Sequence, residues 1–174
     1  MKRPGGKPDG APSGVDQREE FARSVALRAL DAAPRSRAQL TELLSKKEVP
    51  DAVAAALLDR FEEVGLIDDA ALAGALVRTR HAERGLVGQA LSLELARKGI
   101  DPETAAAAMA QITAEDEAAA AERWARKKLA ATSGLPPETR LRRAASALAR
   151  KGHRPGLAFA TVKRLLAEEG GADR

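Results

Sequence analysis

This 174-residue sequence predicts an all-α protein, three tandem three-helix repeats forming an elongated array. Three observations carry that expectation. Ala, Leu, Arg and Glu, the strongest helix formers, are abundant, while strand-like runs of Val, Ile, Tyr and Phe are missing. Aromatics are only 2% of the residues, so the core has to come from Leu, Val, Ile and Ala. One segment also occurs three times: Leu44-Ser45-Lys46-Lys47-Glu48-Val49-Pro50-Asp51, Leu95-Ala96-Arg97-Lys98-Gly99-Ile100-Asp101-Pro102 and Leu148-Ala149-Arg150-Lys151-Gly152-His153-Arg154-Pro155. Each copy ends an apolar helix on a basic pair, turns, and opens a second helix. The copies lie 51 residues apart from Lys47 to Lys98 and 53 apart from Lys98 to Lys151. A period of that length marks supersecondary units that stack because none buries its apolar face alone.

Residues 1–16 are rich in Gly, Pro and charge and are expected to form a disordered tail. The first repeat is expected over residues 17–67. Its first helix runs from about Gln17 to Ala32, with Phe21, Val25 and Leu30 as the apolar face and Pro34 as the stop. Ser36 reads as an N-cap with Gln39 as its capping-box partner, opening a helix that buries Leu40, Leu43 and Leu44. A third helix after Val49-Pro50-Asp51 carries Val53, Leu57, Leu58 and Phe61, and Gly65 is placed to end it with positive φ.

The second repeat, residues 68–113, starts at an Asp68 or Asp69 cap and a helix bearing Leu72, Leu76 and Val77. The loop Glu83–Gly88 follows, then a helix with Leu91 and Leu95 that stops at Gly99. Asp101 caps a helix opening on Pro102, where the missing N–H costs nothing, and burying Ala105, Ala108, Met109 and Ile112. The third repeat, residues 114–174, opens with a helix from about Ala114 to Ala131 that holds the only tryptophan, Trp124. After Thr132–Pro137, a helix bearing Leu141, Ala145 and Leu148 ends at Gly152. A last helix from near Pro155 carries Phe159, Val162, Leu165 and Leu166 and ends at Gly170-Gly171.

Several chemistries find no support. There is no cysteine, which excludes disulfides and cysteine zinc clusters. His81 and His153 lack metal-ligand spacing, and His153 sits in a turn with no partner visible in sequence. Asp68 and Asp69 resemble a carboxylate pair but stand where a helix needs its N-cap. Gly85-Leu86-Val87-Gly88 is a GxxG string like the backbone clamp of KH modules, but KH folds need strands, so it reads as a helix-loop-helix turn. No P-loop or nucleophile elbow is found, so neither catalysis nor a cofactor is expected. No apolar run approaches the roughly 18 residues of a membrane helix, and the charged N-terminus lacks an apolar signal core. A soluble, cytoplasmic monomer is the expectation.

Charge is uneven. Residues 113–174 carry thirteen basic against eight acidic groups, so this part is the one expected to meet an anionic surface. Arg126, Lys127, Lys128, Arg140, Arg142 and Arg143 form the densest basic zone and the best DNA-facing candidate. Arg78, Arg80 and Arg84 follow one helix and its exit, either as phosphate or acidic-surface contacts or as a solvated face. The pairs Lys46/Lys47, Arg97/Lys98 and Arg150/Lys151 have a structural cause open to them, since cations at helix C-termini gain about 0.3–1 kcal/mol from the macrodipole. Trp124 reads as a core anchor, with base stacking as the other role.

The stretch Ala26–Glu169 resembles the RecX family, bacterial regulators of the RecA recombinase. The resemblance rests on Leu57-Leu58-Asp59-Arg60-Phe61-Glu62-Glu63-Val64-Gly65-Leu66-Ile67-Asp68-Asp69, then Leu72-Ala73, Val77-Arg78-Thr79-Arg80 and Glu94-Leu95-Ala96-Arg97-Lys98-Gly99-Ile100-Asp101, in that order. Three positions depart from the family's habit. Leu72 stands where an aromatic is frequent, Glu48 where glycine is usual, and His153 where an aromatic is frequent. The resemblance implies a curved array that lies along the groove of the RecA–single-stranded DNA filament and opposes its growth, ATP hydrolysis and strand exchange. The partners it implies are RecA and, directly, single- or double-stranded DNA. Two other classes compete. A helix-turn-helix regulator is permitted by three-helix units but is usually a dimer with one recognition helix per subunit. A helical-repeat adaptor for another protein is the third reading.

Overall fold

The computed structural model describes residues 14–172, and among these every regular element is a helix. In chain order they are α1 (Gly14–Ala32), α2 (Arg37–Lys46), α3 (Asp51–Glu63), α4 (Asp69–Arg84), α5 (Gly88–Arg97), α6 (Pro102–Met109), α7 (Ala114–Ala130), α8 (Pro137–Arg150) and α9 (Pro155–Ala172). The chain divides into two compact units, Met1–Asp68 and Asp69–Arg174.

The first unit packs α1, α2 and α3 against one another around Leu40, Leu44, Leu57, Leu58 and Phe61. The second unit holds two apolar clusters. One joins α4, α5 and α6 through Val77, Leu91, Leu95 and Ile100, and the other joins α7, α8 and α9 through Leu129, Leu148, Val162 and Leu165. Each fully buried leucine contributes about 1.5–3 kcal/mol relative to exposure, so three separate leucine clusters hold three separate helix triplets.

The capping signals act as the residues dictate. The Ser36 hydroxyl accepts from the Gln39 N–H at 3.1 Å and the Gln39 side chain returns the bond to the Ser36 N–H at 3.3 Å. Asp101 accepts from the N–H groups of Glu103 and Thr104, ahead of Pro102. Thr113 and Asp116 form a second capping box at the start of α7.

The thrice-repeated segment folds the same way each time. The sixth residue of each copy donates its N–H back to the leading leucine: Val49 to Leu44 at 3.1 Å, Ile100 to Leu95 at 3.2 Å and His153 to Leu148 at 3.2 Å. This is a Schellman close, and its fifth residue takes a left-handed conformation. That residue is Gly99 (φ 74°) or Gly152 (φ 94°) in the later copies but Glu48 (φ 59°) in the first. A glutamate there carries a left-handed penalty of roughly 1–2 kcal/mol that glycine avoids.

Some expectations are corrected. The first helix begins at Gly14 rather than near Gln17, so residues 14–16 of the expected tail are helical, while residues 1–13 lie outside the described residues. Phe21 is 49% exposed and Phe159 50% exposed; α1 buries Ala22 and Ala26 instead, and α9 buries Ala158, Val162 and Leu165. Small residues let helices approach closely, and the bulkier aromatics fall on the flank. Glu83 and Arg84 belong to α4 and Gly88 opens α5, which shortens that loop to Gly85–Val87. In α8 it is Ala144, one residue before Ala145, that is fully buried beside Leu148. The helical run of α9 continues through Gly170-Gly171 to Ala172. His153 is 2% exposed, its side chain lying 3.8 Å from Glu117 of α7 rather than in an open turn.

Candidate functional site

The basic residues of the second unit divide by what they touch. On α4 and α5 they gather round one carboxylate. Arg80 Nε lies 3.3 Å from one oxygen of Glu94, and Arg84 and Arg97 lie 3.4 and 3.8 Å from the other. Glu94 is 20% exposed and so is partly shielded from solvent screening. Arg78, on the same helix, reaches the Gln111 side chain at 3.5 Å. Lys98 is the C-cap of α5, where its backbone N–H closes on Leu95.

On α7 and α9, Arg126 and Arg164 share Glu122, each at 2.7 Å, and Arg164 also pairs with Glu168 at 2.6 Å. Those hydrogen bonds, first from Arg126 and then from Arg164, hold the Glu122 carboxyl below the usual carboxylate range. Arg140 is structural in the same sense. Its side chain is 12% exposed, donates to the Leu129 carbonyl at 3.1 Å and pairs with Glu169 at 2.8 Å, tying α8 to the ends of α7 and α9.

The outer face of α8 differs. Lys128, Arg142, Arg143, Ser146 and Arg150 line a shallow groove of about 280 Å³. None of those four cations forms an ion pair among the described residues. Local sequence produces this. α8 is the most strongly amphipathic of the described helices, with Ala144 and Leu148 inward, so Arg142, Arg143 and Arg150 fall outward. Lys128 also borders an adjoining groove of about 330 Å³ that is lined by Trp124, Lys127, Ala131, Ala147, Leu148 and Lys151.

Trp124 marks where the second and third helix triplets meet. The Lys151 ammonium lies 3.7 Å from its ring centroid and donates to the Arg84 carbonyl, and Lys127 lies 4.9 Å from the same ring. Cation–π contacts of this kind are worth about 0.5–2 kcal/mol each. Burial, then the charges of Arg84 and Lys127, push the Lys151 ammonium below its usual range. The Val87 N–H donates to the Lys151 carbonyl at 2.9 Å, and Gly152 lies so close that a Cβ there would stand 2.0 Å from the Val87 oxygen. A Cβ on Gly85 would meet Trp124 Nε1 at 2.2 Å. Gly85 and Gly88 therefore serve a packed junction between helix triplets. His153 sits at the same junction, 3.8 Å from Glu117, and burial lowers its pKa against the opposing pull of that carboxylate.

The structure thus brings together Lys127, Lys128, Arg142, Arg143, Arg150 and Lys151. It sets Arg80, Arg84 and Arg97 round Glu94, and holds Arg126 and Arg140 in ion pairs. Sequence reasoning did not single out Glu94, Glu122 or Ser146. The two glutamates had no local signal beyond a basic residue three or four positions on. Ser146 had one, its spacing of three and four residues from Arg143, Arg142 and Arg150.

Helix triplets, each round its own apolar cluster, define the class as an all-α protein of tandem three-helix domains. Residues 22–61 match the model of the first three-helix domain of RecX, and residues 68–109 match that of the second. The chain is 47% identical over 165 residues to the regulatory protein RecX of Thermobifida fusca, covering 93% of this chain and 89% of that one. It is 46% identical over 151 residues to the regulatory protein RecX of Streptomyces coelicolor, covering 87% and 80%. In fold it is similar to the crystal structure of RecX from Lactobacillus salivarius, with a TM-score of 0.79 at 19% identity over 86% of this chain and 97% of that one. The chain belongs to the RecX family of regulatory proteins.

Proposed function

We propose that this protein is a non-catalytic modulator of the RecA recombinase in the cytoplasm. It binds the RecA filament on single-stranded DNA and limits its growth, its ATP hydrolysis and strand exchange, and so acts in recombinational DNA repair. The observation that carries this reading is membership of the RecX family, at 47% identity over nearly the whole chain. Tandem helix triplets support it, because repeated units suit a partner that is itself a repeating assembly. We read the three triplets as repeats over residues 17–67, 68–113 and 114–174, each with its own apolar cluster. Among the described residues no helix is long and apolar enough to cross a membrane.

The test is RecA-catalysed ATP hydrolysis on single-stranded DNA, with this protein titrated in at fixed salt. Hydrolysis is expected to fall as the protein is added. Unchanged hydrolysis in the presence of folded protein overturns the reading. So does full relief of inhibition by excess single-stranded DNA, which marks competition for DNA alone.

A further inference from the structure

We propose that the contact between the second and third helix triplets is an acid-sensitive joint, which protonation of His153 opens while each triplet stays folded. The inference goes beyond the functional reading above and does not rest on it. Three observations carry it.

The first is how the joint is built. Each triplet has its own apolar cluster, and the two clusters share no residue. Hydrogen bonds that cross between them end on backbone carbonyls. The Val87 N–H donates to Lys151 at 2.9 Å, the Lys151 ammonium donates to Arg84, and Arg123 donates to Ala82 at 3.4 Å. A contact built this way opens at a lower free-energy cost than an apolar cluster does.

The second is where the histidines lie. The chain has only two, 72 residues apart, and both stand at this joint. His81 on α4 has a partner, since its Nδ1 meets the Leu86 carbonyl at 3.2 Å and donates to it. His153 has none. Its side chain is 0% exposed, and neither ring nitrogen makes a hydrogen bond. Burial opposes a proton on that ring most strongly, and the charges of His81 and Lys151 add to it. Glu117 of α7, at 3.8 Å, favours the proton, but Arg154 shares that carboxylate at the same distance. The Gly85 backbone favours the proton as well, outside hydrogen-bonding geometry. A buried charge without a hydrogen bond is far more costly than a buried neutral ring.

The third is the close fit of the turn. Gly152 precedes His153, and a Cβ on it would stand 2.0 Å from the Val87 oxygen. The His153 N–H is itself fixed to the Leu148 carbonyl at 3.2 Å. A charged ring therefore reaches water by lifting the whole turn off Val87, which parts the two triplets.

The sign follows from linkage. In the open joint the imidazole has its usual pKa near 6.5, and in the closed joint a lower one. The closed joint is at full strength above about pH 6.5. Below that, the ratio of open to closed rises by up to about tenfold per pH unit, down to the lowered value.

The test is amide hydrogen exchange of the full chain by NMR between pH 7.5 and 5.0, corrected for the intrinsic pH dependence of exchange. The Val87 N–H reports the joint, and the Leu91 and Leu129 N–H groups report the two triplets. Protection at Val87 should fall by up to about tenfold per pH unit below about 6.5, while Leu91 and Leu129 keep theirs. Folded His153→Phe should flatten the response. Glu117→Gln removes the carboxylate that favours the proton, so it should enlarge the loss at pH 5.0. His81→Gln keeps a donor for Leu86 and removes the second positive charge, so it should shrink it. The emission of Trp124, the only tryptophan, should move to longer wavelength over the same window, because its indole N–H has no partner in the closed joint. Val87 protection that does not change with pH overturns the proposal. So does a fall that persists in folded His153→Phe, or a parallel loss at Leu91 and Leu129, which marks unfolding of the triplets rather than opening of the joint.

Discussion

Two basic clusters of the second unit start from similar composition and end in opposite states. Between α4 and α5, three arginines close on the single carboxylate of Glu94. On α8 and the end of α7, Lys128, Arg142, Arg143 and Arg150 share a groove with no acidic lining residue. The comparison teaches that basic residues are counted by neighbours in space. The Glu94 cluster is drawn together by its carboxylate, so its arginines lose part of their pull on an outside anion. The α8 cluster is held outward by a helix whose other side is anchored by Ala144 and Leu148, and it keeps its full field. The first unit resembles the Glu94 case: Arg37 pairs with Asp59 and Glu62 at 2.7 and 2.6 Å, and Arg60 pairs with Glu19.

The largest effect we expect comes from the junction that fixes the C-terminal end of α8. Gly152→Ala places a Cβ against the Val87 oxygen at a φ of 94°, where neither the backbone nor the neighbour can yield cheaply. It should destabilise the second unit by about 3 kcal/mol in urea melts. A loss under 1 kcal/mol would show that the α8 face is positioned without this contact. Next, Arg140→Ala should cost about 2 kcal/mol, since it removes a hydrogen bond to Leu129 and leaves Glu169 without its arginine, whereas Arg142→Ala should cost under about 0.5 kcal/mol. Equal losses at the two positions would erase the distinction between structural and outward-facing arginines.

A pH series sharpens the junction further. Burial holds His153 below its usual value, so the unfolded chain binds the proton more readily than the folded one. The stability from keeping His153 neutral is full above about pH 6.5 and declines as pH falls from there towards the lowered folded value. His153→Phe should make the melting temperature less dependent on pH across that window, and an unchanged dependence would remove His153 as the source. The smallest effect is in the first unit. Glu48→Gly should stabilise it by up to about 1 kcal/mol, because glycine adopts the left-handed turn without a Cβ penalty but loses more entropy on folding.

Helices and caps were legible because their signals are local. Ser36 with Gln39, and Asp101 with Pro102, sit within one turn of the backbone groups they satisfy. The Gly99 and Gly152 turns were legible for the same reason. What could not be read lies across elements. Glu94 meets Arg80 across 14 residues, Arg126 meets Glu168 across 42, and Lys151 meets Arg84 across 67. Phe21 and Phe159 misled because size was taken for burial, while the buried stripe of α1 is alanine. The α8 groove was half legible: Arg142 and Arg143 stood out as charge, but that Arg140 would turn inward and Arg150 join them depended on how α8 packs.

The measurement that tests this account most directly is inhibition of RecA-catalysed ATP hydrolysis by R142A/R143A and by R80A/R84A, each compared with the unaltered chain at the same salt. We predict that R142A/R143A needs on the order of tenfold more protein for half inhibition, while R80A/R84A, which removes arginines already facing Glu94, stays within about twofold. The reverse ranking, with the Glu94 arginines decisive and the α8 arginines dispensable, would contradict it.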